Sequence, residues 1–220
     1  MPLRVLTAVS VFCALSYICV FLIRFKVSFL TFDLKDAIMV IGSMYFGPVA
    51  AIIMPAIVSL IEFLTISDTG VYGLVMNFLS SVSFCLVSSL IYKFRKNIVC
   101  AVVSLAGGIV VMTGVMLLAN LYITPYYMHV TADQVRELIP TLFMPFNLIK
   151  GIVNASVVMI MYKPFSRALK AAGVLKNIES VSSGNKLKLW QRILIVVLSV
   201  MILVASVLVM KLKMNATIDI

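Results

Sequence analysis

The sequence predicts an all-α, polytopic membrane protein. Of its 220 residues, 63% are hydrophobic and only 12% are charged, whereas soluble domains run at about 45–50% and about 25%. Mean hydropathy is +1.15. The apolar tracts approach the ~20 residues that a helix needs to cross a bilayer, and short clusters of charge, Gly and Pro divide them.

The elements follow in order. The first span covers Leu3–Ile23. It exceeds the ~7–15 residues of a signal-peptide core, and no small-residue cleavage site follows it. An amphipathic stretch, Arg24–Lys35, comes next, with Asp33 and Asp36 at its end. The tract from Ala37 to Thr65 is long for one span and short for two. Gly47-Pro48 splits it into a short second helix, Asp36–Phe46, and a third, Pro48–Thr65. Asp36 suits a cap on the short helix. Ser67-Asp68-Thr69-Gly70 reads as a turn. The fourth span is Val71–Tyr92 and the fifth Ile98–Tyr122. A polar loop holds Pro125, His129, Asp133, Arg136 and Glu137. The sixth span is Pro140–Tyr162, with a helix that starts or breaks at Pro145. A basic linker (170–188) leads to a seventh apolar segment, Leu189–Met210, and a short tail.

The net charge of +10 reflects the cytoplasmic excess of Lys and Arg in membrane proteins; no aromatic-interleaved basic patch suggests nucleic acid. Arg4, the Lys93/Arg95/Lys96 cluster and the segment from Lys163 to Arg192 fall on one side, which is therefore cytoplasmic. The N-terminus is inside and the end of the seventh span outside. Cys13, Cys19, Cys85 and Cys100 lie in apolar tracts without metal spacing and read as packing residues. His129 is alone in its loop, so no metal site is expected. There is no Walker A, HExxH, GxSxG or carboxylate pair within a span. The expectation is a protein that binds rather than catalyses.

The most informative stretch is Pro145-Phe146-Asn147-Leu148-Ile149-Lys150-Gly151. A lysine in hydrocarbon costs roughly 2.5–3.5 kcal/mol on insertion scales. Asn147 and Lys150 share a helix face, and a proline ahead of them suits a helix start. Snorkelling of Lys150 to the interface is the plain alternative. Asn77 and Asn120, which could simply bond neighbouring helices, fall at the same outer depth and point to one polar cavity. Glu62 has three open roles: partner of Lys150, solvated interfacial group, or ligand contact. Tyr122, Tyr126 and Tyr127 form an interfacial belt or a cavity wall. Ser10 and Ala14 make a small-residue face on the first span, suited to close helix approach.

Taken in order, several pieces resemble the S components of energy-coupling factor (ECF) transporters, in particular their riboflavin-specific branch. They are Leu30-Thr31-Phe32-Asp33 with Asp36, Phe46-Gly47-Pro48, Asn77-Phe78-Leu79, Asn120 with Pro125 and Tyr127, and Pro145 to Gly151. The resemblance spans residues 1–169. It implies a six-helix fold in a bacterial cell membrane, with riboflavin as transported ligand and no resident cofactor. It also implies a transmembrane T component and two cytoplasmic ATPases as partners. Asn147, Lys150 and Asn120 would then bond the flavin edge, with Asn77, Asp33 and Glu62 close by. Ser10 and Ala14 would face the T component. Glu62 stands where the family pattern leads one to expect a neutral amide, and the seventh segment has no counterpart in it. An S component for another substrate, or a scaffold whose polar groups only join helices, are the competing readings.

Overall fold

The computed structural model describes residues 3–27 and 30–173. Its helices are α1 (Leu3–Leu22), α2 (Lys35–Phe46), α3 (Pro48–Thr65), α4 (Gly70–Phe94), α5 (Ile98–Met128), α6 (Ala132–Leu138) and α7 (Met144–Ala171). A π turn, Ile139–Phe143, joins α6 to α7 into one helical run. Five helical segments are long and apolar enough to span a membrane: α1, α3, α4, α5 and the α6–α7 run. The seventh segment, Leu189–Met210, and most of its linker lie outside the described residues.

Four sequence expectations change. The amphipathic stretch Arg24–Lys35, expected within an all-α fold, holds two strands: Arg24–Val27 (β1) and Leu30–Asp33 (β2) pair antiparallel, with Phe25 opposite Phe32. Asp36 does not cap α2; Leu34 is the N-cap residue and makes no side-chain bond there. The carboxylate is instead fully buried. The fifth helix runs on to Met128, with Pro125 in its final turns. Its end is set by His129, whose φ of 55° turns the chain into the left-handed region. The expected polar loop is therefore mostly helix, and α6 opens with a capping box between Thr131 and Gln134. The last helix continues past Tyr162 to Ala171 and contains Pro164.

α2 has 12 residues, too few to cross alone, and ten of them are buried among the spans. Gly47, at φ 90°, makes the sharp turn into α3 that a residue with a Cβ would resist. The α4–α5 crossing is equally close: a Cβ on Gly108 would lie 2.7 Å from Phe84. Val40, Met54, Phe84, Met112 and Val158 are completely buried in the core between these helices.

Chain direction sorts the polar residues to two ends. The hairpin, the α3–α4 turn, the end of α5 and the start of α7 share one end. Arg4, Lys93, Arg95, Lys96 and the end of α7 share the other. The positive-inside bias makes the second end cytoplasmic and the hairpin end external.

Candidate functional site

The external end holds a cavity walled by the hairpin and by α3, α4, α5 and α7. Asn77, Asn120, Asn147, Lys150 and Glu62 all line it. Five of the six sequence-picked binding residues therefore meet in one place. The sixth, Asp33, does not face the cavity but grips Lys150 from behind. Helical spacing explains the gathering. Asn147 and Lys150 are one turn apart on α7, and Asn77 and Ser80 on α4. Asn120, Thr124 and Tyr127 stack along two turns of α5.

The Asn120 and Asn147 carboxamides are anchored on their own helices and keep bonding capacity. Asn147 Nδ2 donates to the Phe143 carbonyl (2.8 Å). Asn120 Nδ2 donates to the Met116 carbonyl (2.7 Å) and its Oδ1 accepts from Thr124 (3.0 Å). Each amide retains a second N–H, and the Asn147 carbonyl oxygen has no bonded partner among the described residues. The π turn places Asn147. The Met144 N–H reaches back to the Ile139 carbonyl, five residues away, and Pro140 and Pro145 carry no N–H to hold a tighter ladder. Such wide turns recur at functional sites.

Beneath the cavity lies an ionic cluster. Lys150 Nζ is 3.1 Å from Asp33 Oδ2 and 3.5 Å from Asp36 Oδ2. Lys35 Nζ donates to both Glu62 oxygens, at 2.6 and 2.7 Å. Asn77 adds a bond to Glu62 (3.1 Å), and Ser81 one to Asp36 (2.5 Å). All five charged residues are at most 4% exposed. Glu62 is paired with Lys35 rather than with the expected Lys150, is buried rather than solvated, and also lines the cavity. Snorkelling of Lys150 is likewise set aside, since its ammonium is turned inward. At Asp33, burial favours the neutral carboxyl, but the Lys150 and Lys35 ammoniums outweigh it and hold the group below the usual carboxylate range.

Asn154, one turn beyond Lys150, staples these parts together. Its Nδ2 donates to the Asp33 and Lys150 carbonyls, and its Oδ1 accepts from the Ala37 N–H (2.9 Å). The hairpin, α2 and α7 are thereby tied at one point.

Sequence reasoning missed Arg24, Thr31, Ser80 and Thr124 on the cavity wall. The i+3 and i+4 spacings from Asn77 and Asn120 would have found Ser80 and Thr124. Ser80 Oγ has no partner among the described residues. Tyr127 belongs to the wall and packs on Tyr72 (6.2 Å), while Tyr122 and Tyr126 are exposed at the periphery. Ser10 and Ala14 lie on the exposed side of α1. Measured for the centre of a water-sized sphere, the cavity holds about 100 Å³. Ligand pockets are typically about 300–1,000 Å³, so a ring system enters only as the wall side chains move apart.

Residues 4–162 match the family model for the substrate-specific component of ECF transporters. The chain belongs to this family. It is 30% identical over 174 residues to the riboflavin transporter RibU of Staphylococcus aureus (strain TCH60), covering 75% of this chain and 92% of that protein. It is 29% identical over 158 residues to the riboflavin transporter FmnP of Bacillus subtilis (strain 168), covering 66% and 83%. Its fold is similar to that of a solved S component of a bacterial ECF transporter, with TM-score 0.65 and 29% identity, covering 77% of this chain and 99% of that one. As an S component the protein is a non-enzymatic, multi-pass membrane subunit. It takes a small substrate and works with a transmembrane T component and ATPases.

Proposed function

We propose that this S component captures riboflavin from outside the cell for import. The observation that carries the reading is the convergence of Asn77, Asn120 and Asn147 on one external cavity. A flavin is a flat apolar body with a rim of carbonyls and an imide, and it fits an apolar slot with a few placed amides. Asn147 and Asn120 offer donors and acceptors to that rim. Tyr127, Ile123, Met76 and Phe146 supply apolar and aromatic surface. Lys150 completes the polar wall, its charge already balanced by Asp33 and Asp36, so the ligand need not be an anion. The curated relatives named as riboflavin transporters support the same choice. Two ATPases in the energising module, and Ser10 and Ala14 as the face toward the T component, complete the proposal.

Titration of the detergent-purified protein with riboflavin, followed by flavin fluorescence, tests it. Saturable quenching at or below micromolar flavin is expected. No quenching at that concentration would sink the riboflavin assignment while leaving family membership intact.

A further inference from the structure

At the cytoplasmic end a second hollow, about 690 Å³ by the same measure, runs between α1 and the end of α7. Thr7, Val11 and Leu15 recur every four residues along its α1 side. Ala168 and Ala172 form its α7 side, and Phe12 and Phe165 close the floor with ring centroids 5.2 Å apart. Arg4, in the first turn of α1, stands at its rim. Val11 and Leu15 are 51% and 38% exposed.

The depth of the hollow decides what fits. From Arg4 to Leu15, α1 rises about 16 Å, and one leaflet of the ~30 Å hydrocarbon core is about 15 Å thick. Ile18 and Leu22 continue the same stripe of α1 and are exposed, yet neither lines the hollow. A partner's transmembrane helix would need a groove through both leaflets. A lipid chain needs only one, and the small side chains of α7 keep the slot open to it.

Charge selects the class of lipid. Arg4 is exposed, and no carboxylate pairs with it among the described residues. Its guanidinium offers a fork of donors that matches phosphate. The stem can lie on the apolar wall while the head reaches the headgroup level, and the cytoplasmic leaflet is the anionic one.

We propose that the α1–α7 hollow seats one anionic phospholipid of the cytoplasmic leaflet, with its phosphate on Arg4 and one acyl chain against Phe12 and Phe165. On α1, Ser10 and Ala14 are turned about a quarter of a turn from the Val11 and Leu15 stripe. The T component proposed for that flank then meets a surface built jointly of protein and lipid. The lipid seat is independent of which substrate the external cavity takes.

The test is native mass spectrometry of the full chain in detergent, titrated with phosphatidylglycerol or phosphatidylcholine of identical acyl chains. Arg4→Gln should lose one bound phosphatidylglycerol, its affinity down about fivefold, with phosphatidylcholine binding unchanged. Ala168→Phe, which fills the hollow from α7, should lower retention of both lipids. Leu6→Phe, on the other side of α1, should change neither. The Lys93, Arg95 and Lys96 cluster, which also attracts anionic lipid, stays intact in every variant. Glycerol 3-phosphate, which has the headgroup chemistry without a tail, should not displace the lipid. Unchanged phosphatidylglycerol affinity in Arg4→Gln, an equal loss of phosphatidylcholine there, or unchanged retention in Ala168→Phe would each overturn the proposal. Displacement by glycerol 3-phosphate would do so too, as would a lipid-free dimer that Ala168→Phe dissolves, which gives the hollow to a second copy. Thermal melts check each fold, and Ala172→Phe is read in place of Ala168→Phe if the latter melts early.

Discussion

The cavity wall and the ionic cluster beneath it draw on the same hairpin and helices yet hold polar groups in opposite ways. On the wall, Asn120 and Asn147 bond mainly to carbonyls of their own helices and keep spare donors and acceptors. In the cluster, Asp33, Lys35, Glu62 and Lys150 bond across elements, and the contacts join residues up to 117 positions apart in the chain. The first arrangement leaves affinity for something that arrives later. The second spends its polarity on holding β2, α2, α3 and α7 together. The lesson is that two residues on one helix face, Asn147 and Lys150, belong to different jobs.

Mutations can break that division. Lys150→Ala should have the largest effect, because it leaves the Asp33 and Asp36 carboxylates buried beside a vacated site. Loss of one partner from a buried pair costs about 3–5 kcal/mol, so the apparent Tm of the detergent-solubilised protein should fall sharply. A lysine that only faced the ligand would instead give a variant that folds normally and loses only binding. A Tm within a degree of wild type would return Lys150 to a ligand-only role. Asn154→Ala comes next. It removes the side-chain bonds to the Ala37 N–H and the Asp33 carbonyl, leaving Ala37 only its longer bond to the Leu34 carbonyl (3.3 Å), and costs about 1–3 kcal/mol, again read as a lower Tm, with riboflavin affinity reduced as the hairpin loosens. Asn147→Ala should show the reverse profile: an unchanged Tm and a riboflavin Kd raised about tenfold, equivalent to 1.4 kcal/mol. A variant that loses Tm but not affinity would place Asn147 with the structural group.

Acid gives a finer test of the cluster. The Asp33 carboxyl lies below its usual range in the folded protein. Its contribution is therefore present at neutral pH and lost only as pH falls below about 4, the unperturbed value. Thermal unfolding should be flat in this respect between pH 8 and 5 and weaken below about 4. The smallest effect on the isolated protein belongs to Ser10→Leu. A lipid-exposed change of this kind shifts stability by under about 0.5 kcal/mol and should leave flavin binding alone. Co-purification with the T component and ATPases should drop, and undiminished assembly would remove Ser10 from that interface.

The spans were legible because crossing a bilayer demands long apolar runs, and α1, α3, α4 and the core of α5 obey that demand. Asn77, Asn120 and Asn147 were legible as a cavity because their cost in hydrocarbon makes each of them conspicuous. What could not be read lies outside the hydrocarbon or between distant positions. Arg24–Asp33 carries an apolar–polar pattern that suits either a short helix or a hairpin, and strand pairing across Phe25 and Phe32 decided it. The fifth and sixth spans were expected to end at Tyr122 and Tyr162, ahead of Pro125 and Pro164; each proline forgoes a bond to the carbonyl four residues back, and the helices run through them all the same. The pairing of Lys35 with Glu62 rather than of Lys150 with Glu62 depends on tertiary placement, which no local spacing encodes. Asp36 satisfied every rule for a cap and was drawn inward by Ser81 and Lys150 instead.

The wide turn at Ile139–Phe143 also sets the angular phase of the last helix. A turn closed by a bond five residues back in place of four behaves like an inserted residue, and one residue corresponds to about 100° of rotation. Everything after Phe143, including Asn147, Lys150 and Asn154, owes its inward heading to that offset. Shortening the segment by one residue would turn the helix by more than a quarter of a circle. It would swing three polar side chains toward lipid while leaving the composition of the span almost untouched. The orientation of the site is thus encoded by a residue count rather than by the identity of the residues that form it.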